Sequence, residues 1–235
     1  MSGLPISVEK LSYSYPDGRL ALDGVTFRVA AGERVALVGA NGAGKSTLIL
    51  HLNGILTGQG DVQVGELMVR KNALKEIRQR VGLLFQDPDD QLFCPTVGED
   101  VAFGPRNLGL KEPEVQERVH DCLTRVGLHG FDGRFVYHLS VGEKKRAALA
   151  GVLAMNPGVL ALDEPSASLD PRGRRELLAL LKGIDSTMLV VTHDLEFARE
   201  LCPRSIVMSG GKVVADKPTA ELLGDAALLT EHGLA

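Results

Sequence analysis

The sequence predicts an α/β protein with a parallel-sheet core around a phosphate-binding loop, an antiparallel β subdomain and a mostly helical insertion. Three observations carry this expectation. The segment Gly39-Ala40-Asn41-Gly42-Ala43-Gly44-Lys45-Ser46-Thr47 lies between an apolar run at 34–38 and a helical run at 47–52. Short apolar runs at 81–85, 159–162, 188–192 and 205–208 alternate with helical segments, the pattern of β-α-β units with parallel pairing. From Asp87 the character changes, with Pro88, Pro95, Pro105 and Pro113 punctuating a stretch of loops and helices.

The elements follow in order. Residues 4–35 alternate apolar and polar positions, with turn signals at Pro16-Asp17-Gly18 and Ala31-Gly32-Glu33, and read as a small antiparallel element. After the glycine-rich loop and its helix, Gly58-Gln59-Gly60 makes a turn, and 62–64 and 67–69 form a hairpin around Gly65-Glu66. The run 81–85, ending at Gln86, reads as a central strand. Val115, Val119, Cys122, Leu123 and Val126 fall at helical spacing, with Gly127 to stop the helix. Ser140, with Glu143 three residues on, is placed to cap a helix that runs through Ala154. The apolar runs after residue 158 complete the sheet, and 219–235 reads as a short helical tail.

Composition narrows the function classes. The chain has 235 residues, 44% of them apolar, enough for one large α/β domain with a sizeable core. A formal net charge of −4 argues against broad electrostatic binding of nucleic acid. The three cysteines, Cys94, Cys122 and Cys202, are widely spaced and form no metal-ligand pattern, which predicts reduced thiols. Residues 1–10 lack an apolar signal core, and no run approaches the ~20 apolar residues of a membrane span, so the chain is expected to be soluble by itself.

The glycine-rich segment fits the pattern G-x-x-x-x-G-K-[ST], whose backbone N–H groups curl inward around phosphates. Lys45 would lay positive charge over β- and γ-phosphates, and the Ser46 hydroxyl would bind Mg²⁺. Asp163 and Glu164 follow an apolar strand directly, where phosphoryl chemistry needs them. Asp163 would hold Mg²⁺ directly or through water, and Glu164 would polarise an attacking water. An Asp-Glu pair after a strand is by itself common in surface turns; the phosphate loop gives it meaning. His193, in Thr192-His193-Asp194 at the next strand end, would hydrogen-bond the γ-phosphate and orient the water, or else simply cap a loop. Gln86 offers a neutral amide to Mg²⁺ or the water. Tyr15 offers a ring for stacking on a base, with Tyr13 its nearest competitor. Leu139-Ser140-Val141-Gly142-Glu143 opens a helix whose Ser140 hydroxyl and backbone amides suit a second phosphate group. One chain needs only one cradle per nucleotide, so this second one implies two copies face to face.

These motifs, in this order, resemble the ATP-binding cassette ATPases over nearly the whole chain. The Walker A stretch is 39–47, the Walker B run with its catalytic glutamate 159–164, and the Q-loop glutamine Gln86. The signature is 139–143, the D-loop Ser168-Leu169-Asp170 and the switch histidine His193, with Tyr15 matching the adenine-stacking aromatic. The resemblance implies a P-loop, RecA-like core and ATP with Mg²⁺ as ligands. It implies one domain, 1–235, in which 1–86 and 158–235 form the nucleotide-binding core with its β subdomain and 87–157 the helical subdomain. Phosphate contacts from the signature fall on Ser140 and Gly142. Val141 stands where the family usually has glycine.

A finer resemblance lies in Phe85-Gln86-Asp87-Pro88-Asp89-Asp90-Gln91-Leu92-Phe93 and in the stretch from Pro95 to Pro105. Together with Glu143-Lys144-Lys145-Arg146 and the closing Glu231-His232-Gly233-Leu234, it is similar to the ATPase subunits of energy-coupling-factor importers, particularly the cobalt/nickel branch. The partners then implied are a second ATPase chain, identical or paralogous, a transmembrane coupling protein and a small membrane substrate-binding component, with no nucleic acid. The expected place is peripheral, on the cytoplasmic face of the cell membrane. Cobalt or nickel leads as cargo, with vitamins as the alternative. The segment 87–105 disfavours a lipid or peptide exporter. A soluble ATPase of ribosomes or DNA would usually carry two cassettes or long coiled-coil insertions.

Overall fold

The computed structural model describes residues 3–234. Contacts divide the chain into two units. The first takes the chain up to Leu83, Gly158–Glu164 and the part from Asp185 onward; the second takes Leu84–Pro157 and Pro165–Ile184.

In the first unit, β1 (Ile6–Ser14), β2 (Leu20–Val29), β4 (Gln59–Val64) and β5 (Leu67–Met68) make a four-stranded sheet in the order β2-β1-β4-β5, with antiparallel pairs. The alternating pattern of 4–35 folds as expected: Ile6, Val8 and Leu11 of β1 are buried, as is every second residue along most of β2.

A six-stranded sheet holds β3 (Arg34–Val38), β6 (Val81–Leu84), β7 (Val159–Asp163), β8 (Thr187–Val191), β9 (Arg204–Ser209) and β10 (Lys212–Pro218), in the order β10-β9-β3-β8-β7-β6. The pairs β9–β3, β3–β8 and β8–β7 are parallel. Strands β7 and β8 are buried throughout, which explains their unbroken apolar runs. Helix α1 (Lys45–Leu52) touches β2 and β4 of one sheet and β7 and β8 of the other.

Two expectations about this sheet are corrected. Strand β6 lies at its edge, not its centre. All four of its residues are buried, and burial alone produces the apolar run. The sheet is also mixed, because β10 returns antiparallel to β9 through the turn at Gly210-Gly211. The alternation along 212–218 is that of a half-exposed edge strand.

The second unit contains α3 (Val97–Asn107), α4 (Glu112–Arg125), α5 (Val141–Ala154) and α6 (Pro171–Lys182), with 3₁₀ turns at Pro88–Asp90 and Val136–His138. Helices α3, α4 and α5 pack on one another through Val97, Val101, Val115, Val119, Leu123, Ala147 and Leu149, all buried. Helix α3 lies in the stretch expected to mix loops and helices; Thr96 and Glu99 cap it reciprocally, and it carries Pro105 near its end. The short α2 (Leu74–Arg80) and α7 (Leu195–Leu201) complete the first unit with the tail, which forms two helices, α8 (Thr219–Gly224) and α9 (Ala226–Glu231), parted at Asp225.

Candidate active site

Tyr15, residues 39–47, Asp163, Glu164 and His193 fall in the first unit; Gln86, Ser140 and Gly142 fall in the second.

The loop joining β3 to α1 is fixed by backbone that only glycine tolerates. Gly39 has φ 152 and Gly44 φ 100, and a Cβ at either would collide with a backbone carbonyl, that of Met208 or of Ala21. The β9–β10 turn buttresses the loop: Gly211 N–H donates to the Ala43 carbonyl at 3.2 Å, and Asp23 N–H donates to the Gly211 carbonyl at 2.9 Å. Inside it, Lys45 Nζ donates to the carbonyls of Gly39 (2.7 Å) and Ala40 (3.0 Å). Burial lowers the Lys45 pKa, opposed by the nearby carboxylates of Glu164 and Asp163. Ala40, Asn41, Gly42 and Ser46 are exposed, and α1 begins here, so the first-turn N–H groups that lack a carbonyl partner within the helix belong to this loop, the kind of group an anion takes.

Sheet register brings the acidic pair to this loop. Leu37 lies opposite Val191, and Val191 opposite Asp163, so β3, β8 and β7 end level. The segments leaving those ends carry the loop, His193 and Glu164. Asp163 and Glu164 are each only 7% exposed. Glu164 has a left-handed backbone, φ 47, secured by its N–H donating to the Val191 carbonyl at 2.9 Å. A non-glycine residue in that conformation costs about 1–3 kcal/mol, strain that clusters at functional sites. His193 meets it: Nδ1 lies 2.9 Å from Glu164 Oε1, and the His193 N–H donates to Oε2 at 3.4 Å. The turn beneath is set by Asp194, which caps α7 by accepting from Phe197 N–H at 2.8 Å. The contact between His193 and Glu164 was not legible in the sequence. Ser46 and Asp163 supply the hard oxygen donors that Mg²⁺ takes, so the residues present fit that ion.

Tyr15 donates to or accepts from Thr47 Oγ1 at 2.9 Å, so its ring is tied to the first turn of α1. The Arg19 guanidinium lies 4.7 Å from the ring centroid, over one face. A base stacking on that face would displace Arg19.

In the second unit, Ser140 caps α5 as expected. Its Oγ accepts from Glu143 N–H at 3.3 Å, and the Glu143 carboxylate accepts from Ser140 N–H and Oγ–H, both at 2.8 Å. Those bonds hold the Glu143 carboxyl below its usual pKa. Val141 is the first residue of α5, 53% exposed, with none of the positive φ that would demand glycine. A Cβ at Gly142 would meet only Leu169, at 3.5 Å. Gln86 is exposed, two residues past the end of β6.

The profile of the ABC transporter family matches residues 22–167, more than half of the chain. The energy-coupling factor transporter ATP-binding protein EcfA of Methanothermobacter thermautotrophicus is 48% identical over 235 residues, covering 97% of this chain and 76% of the relative. Among solved structures, cbiO1 from Clostridium perfringens, part of the ABC transporter complex cbiONQ, superposes with a TM-score of 0.83 at 38% identity, over 97% of this chain and 94% of that one. The ATP-binding cassette MJ0796, a dimer in a post-hydrolysis state bound to ADP and Pi, gives a TM-score of 0.84 at 26% identity, over 91% and 98%. Family profile, relatives and fold agree with the strand-end chemistry, and the chain belongs to the ABC transporter family as an ATPase that binds and hydrolyses ATP.

Proposed function

We propose that this ATPase energises import through a separate transmembrane coupling protein, as an energy-coupling-factor subunit that works from the cytoplasmic face of the membrane. The observation that carries the reading is the surface on the segment after Gln86. Phe93 and Phe103 are 65% and 48% exposed and stack edge to face at 4.8 Å. Behind them the segment is anchored: Gln91 accepts from Phe85 N–H at 3.1 Å, and Lys144 of the signature helix pairs with Asp89 at 2.6 Å. An exposed aromatic pair on a braced segment suits a partner surface. The likeness to EcfA and to cbiO1 supports the same reading. Cobalt or nickel as cargo, with a vitamin as the alternative, rests on the sequence resemblance alone. The partners are a second ATPase chain, identical or paralogous, the coupling protein and a small membrane substrate-binding component. Among the described residues no helix is long and apolar enough to cross a membrane.

In the proposed cycle, Ser140 and Gly142 of one chain face the phosphate loop of another across the nucleotide. We assign Lys45 to the phosphate charge and Ser46, Asp163 and Gln86 to Mg²⁺, which when bound neutralises phosphate charge. Glu164 polarises the attacking water, oriented by His193. With 87–157 as the helical subdomain, Gln86 links the nucleotide to the docking surface.

Affinity purification from native membranes in mild detergent, with mass spectrometry, tests the reading. A multi-span coupling protein with a small metal-binding component supports metal import. A vitamin-binding component keeps the mechanism and changes the cargo. Recovery of soluble partners alone overturns the transport reading. Two variants test the assignments. His193→Ala frees the Glu164 carboxylate from its ring partner and is expected to lower turnover about tenfold or more with ATP affinity kept; an unchanged rate removes His193 from the mechanism. Val141→Gly is expected to change turnover by less than severalfold, because helical backbone at that position suits valine; a gain of about tenfold or more contradicts this.

A further inference from the structure

Tyr15 is not held alone. Residues 13 and 15 are two apart on an extended segment, and Thr47 and His51 are four apart on α1, so each pair shares a face with similar spacing. The two pairs meet. Tyr15 OH bonds Thr47 Oγ1 at 2.9 Å, and the Tyr13 ring packs edge to face on His51 at 5.0 Å between centroids. Tyr13 also packs edge to face on Tyr15, at 5.2 Å. His51 is the deepest member, 2% exposed, and its Nδ1 lies 2.8 Å from the Thr47 carbonyl, within the turn that carries the Tyr15 partner. Burial lowers its pKa, so at neutral pH the ring is neutral and Nδ1 carries the proton donated to that carbonyl.

His51 Nε2, by contrast, is buried without a hydrogen-bond partner. An apolar side chain would fill the same space without that unsatisfied nitrogen. What a histidine offers here, and leucine does not, is a flat ring for Tyr13 joined to a donor for Thr47.

We propose that His51 and Tyr13 are positioning residues for nucleotide binding, fixing the Tyr15 ring through Tyr13 on one side and Thr47 on the other so that it meets the adenine pre-oriented. The proposal rests on the reading of Tyr15 as the base-stacking residue. Pre-orientation raises affinity by removing the cost of ordering the ring at the moment of binding. It acts on the base, because Tyr13 packs on the rings of Tyr15 and His51, and His51 meets the 39–47 stretch at the Thr47 carbonyl, inside α1.

Equilibrium titrations of the full chain with ATP and with inorganic tripolyphosphate separate base from phosphate. Tyr13→Leu and His51→Asn, the latter keeping a donor toward Thr47, are each expected to weaken ATP about fivefold, the loss of one aromatic contact. Tripolyphosphate affinity stays within about twofold, and Tyr13→Phe behaves as wild type. On a Tyr15→Leu background, Tyr13→Leu adds nothing further. Equal weakening of both probes overturns the proposal, since the residues would then act through the loop and helix. So does unchanged ATP affinity in Tyr13→Leu while Tyr15→Leu still loses it, which leaves the stacking role of Tyr15 intact. If Tyr15→Leu itself binds ATP normally, the stacking reading falls and this proposal with it. Should His51→Asn fail to fold, half-buried Tyr13 carries the same test.

Discussion

Glu164→Gln is expected to lower ATP turnover about 10²–10³-fold while ATP affinity stays within about threefold, trapping ATP-bound pairs of chains. The carboxylate is the one acceptor-only group beside the loop that already receives the His193 ring and backbone N–H. A glutamine keeps the size and one acceptor oxygen, so the left-handed backbone and the turn at His193 should survive. It cannot take a proton from water. Single-turnover hydrolysis together with nucleotide affinity measures both halves; hydrolysis at the normal rate would remove Glu164 from its assigned role. Loss of affinity in step with turnover would mean that the residue shapes the loop instead.

Lys45→Ala is expected to abolish measurable hydrolysis, a loss of about 10²-fold or more, and to weaken ATP binding as well. Two effects combine. The ammonium is lost from a buried place beside Asp163 and Glu164, leaving carboxylates whose charge repels phosphate. The clamp on the carbonyls of Gly39 and Ala40 is lost too, and those carbonyls turn partial negative charge toward the loop interior. Lys45→Met tests which matters, since it restores bulk without charge. Recovery of activity in Lys45→Met would show that filling the space, not charge, was the requirement.

Much of the site was legible because its residues are adjacent in sequence and their spacing is imposed by the phosphate group itself. Gly39 and Gly44 match the glycine spacing of a phosphate loop, while the carbonyls of Met208 and Ala21 that exclude a side chain there come from distant strands; Ser140 with Glu143 is a local capping pattern that the fold preserved unchanged. The bounds of α3 were not legible within the mixed loops and helices from Asp87, because the prolines masked its cap, although Pro105 lies near the helix end, where the missing N–H costs less. Strand β10 was missed because a half-exposed edge strand shows little apolar content, even though Gly210-Gly211 marks the turn before it.

The sequence by itself determined the phosphate loop, the acidic pair after its strand, the capped signature helix and the membership those motifs share. Only the tertiary structure decided that β6 is an edge strand, that Glu164 and His193 hydrogen-bond, and that Tyr15 is tied to Thr47 and, through Tyr13, to His51. The reason is physical: caps, glycine turns and phosphate cradles are satisfied within a few residues of chain. Strand order and ring packing depend on which distant segments share a neighbour, and a linear pattern does not encode that.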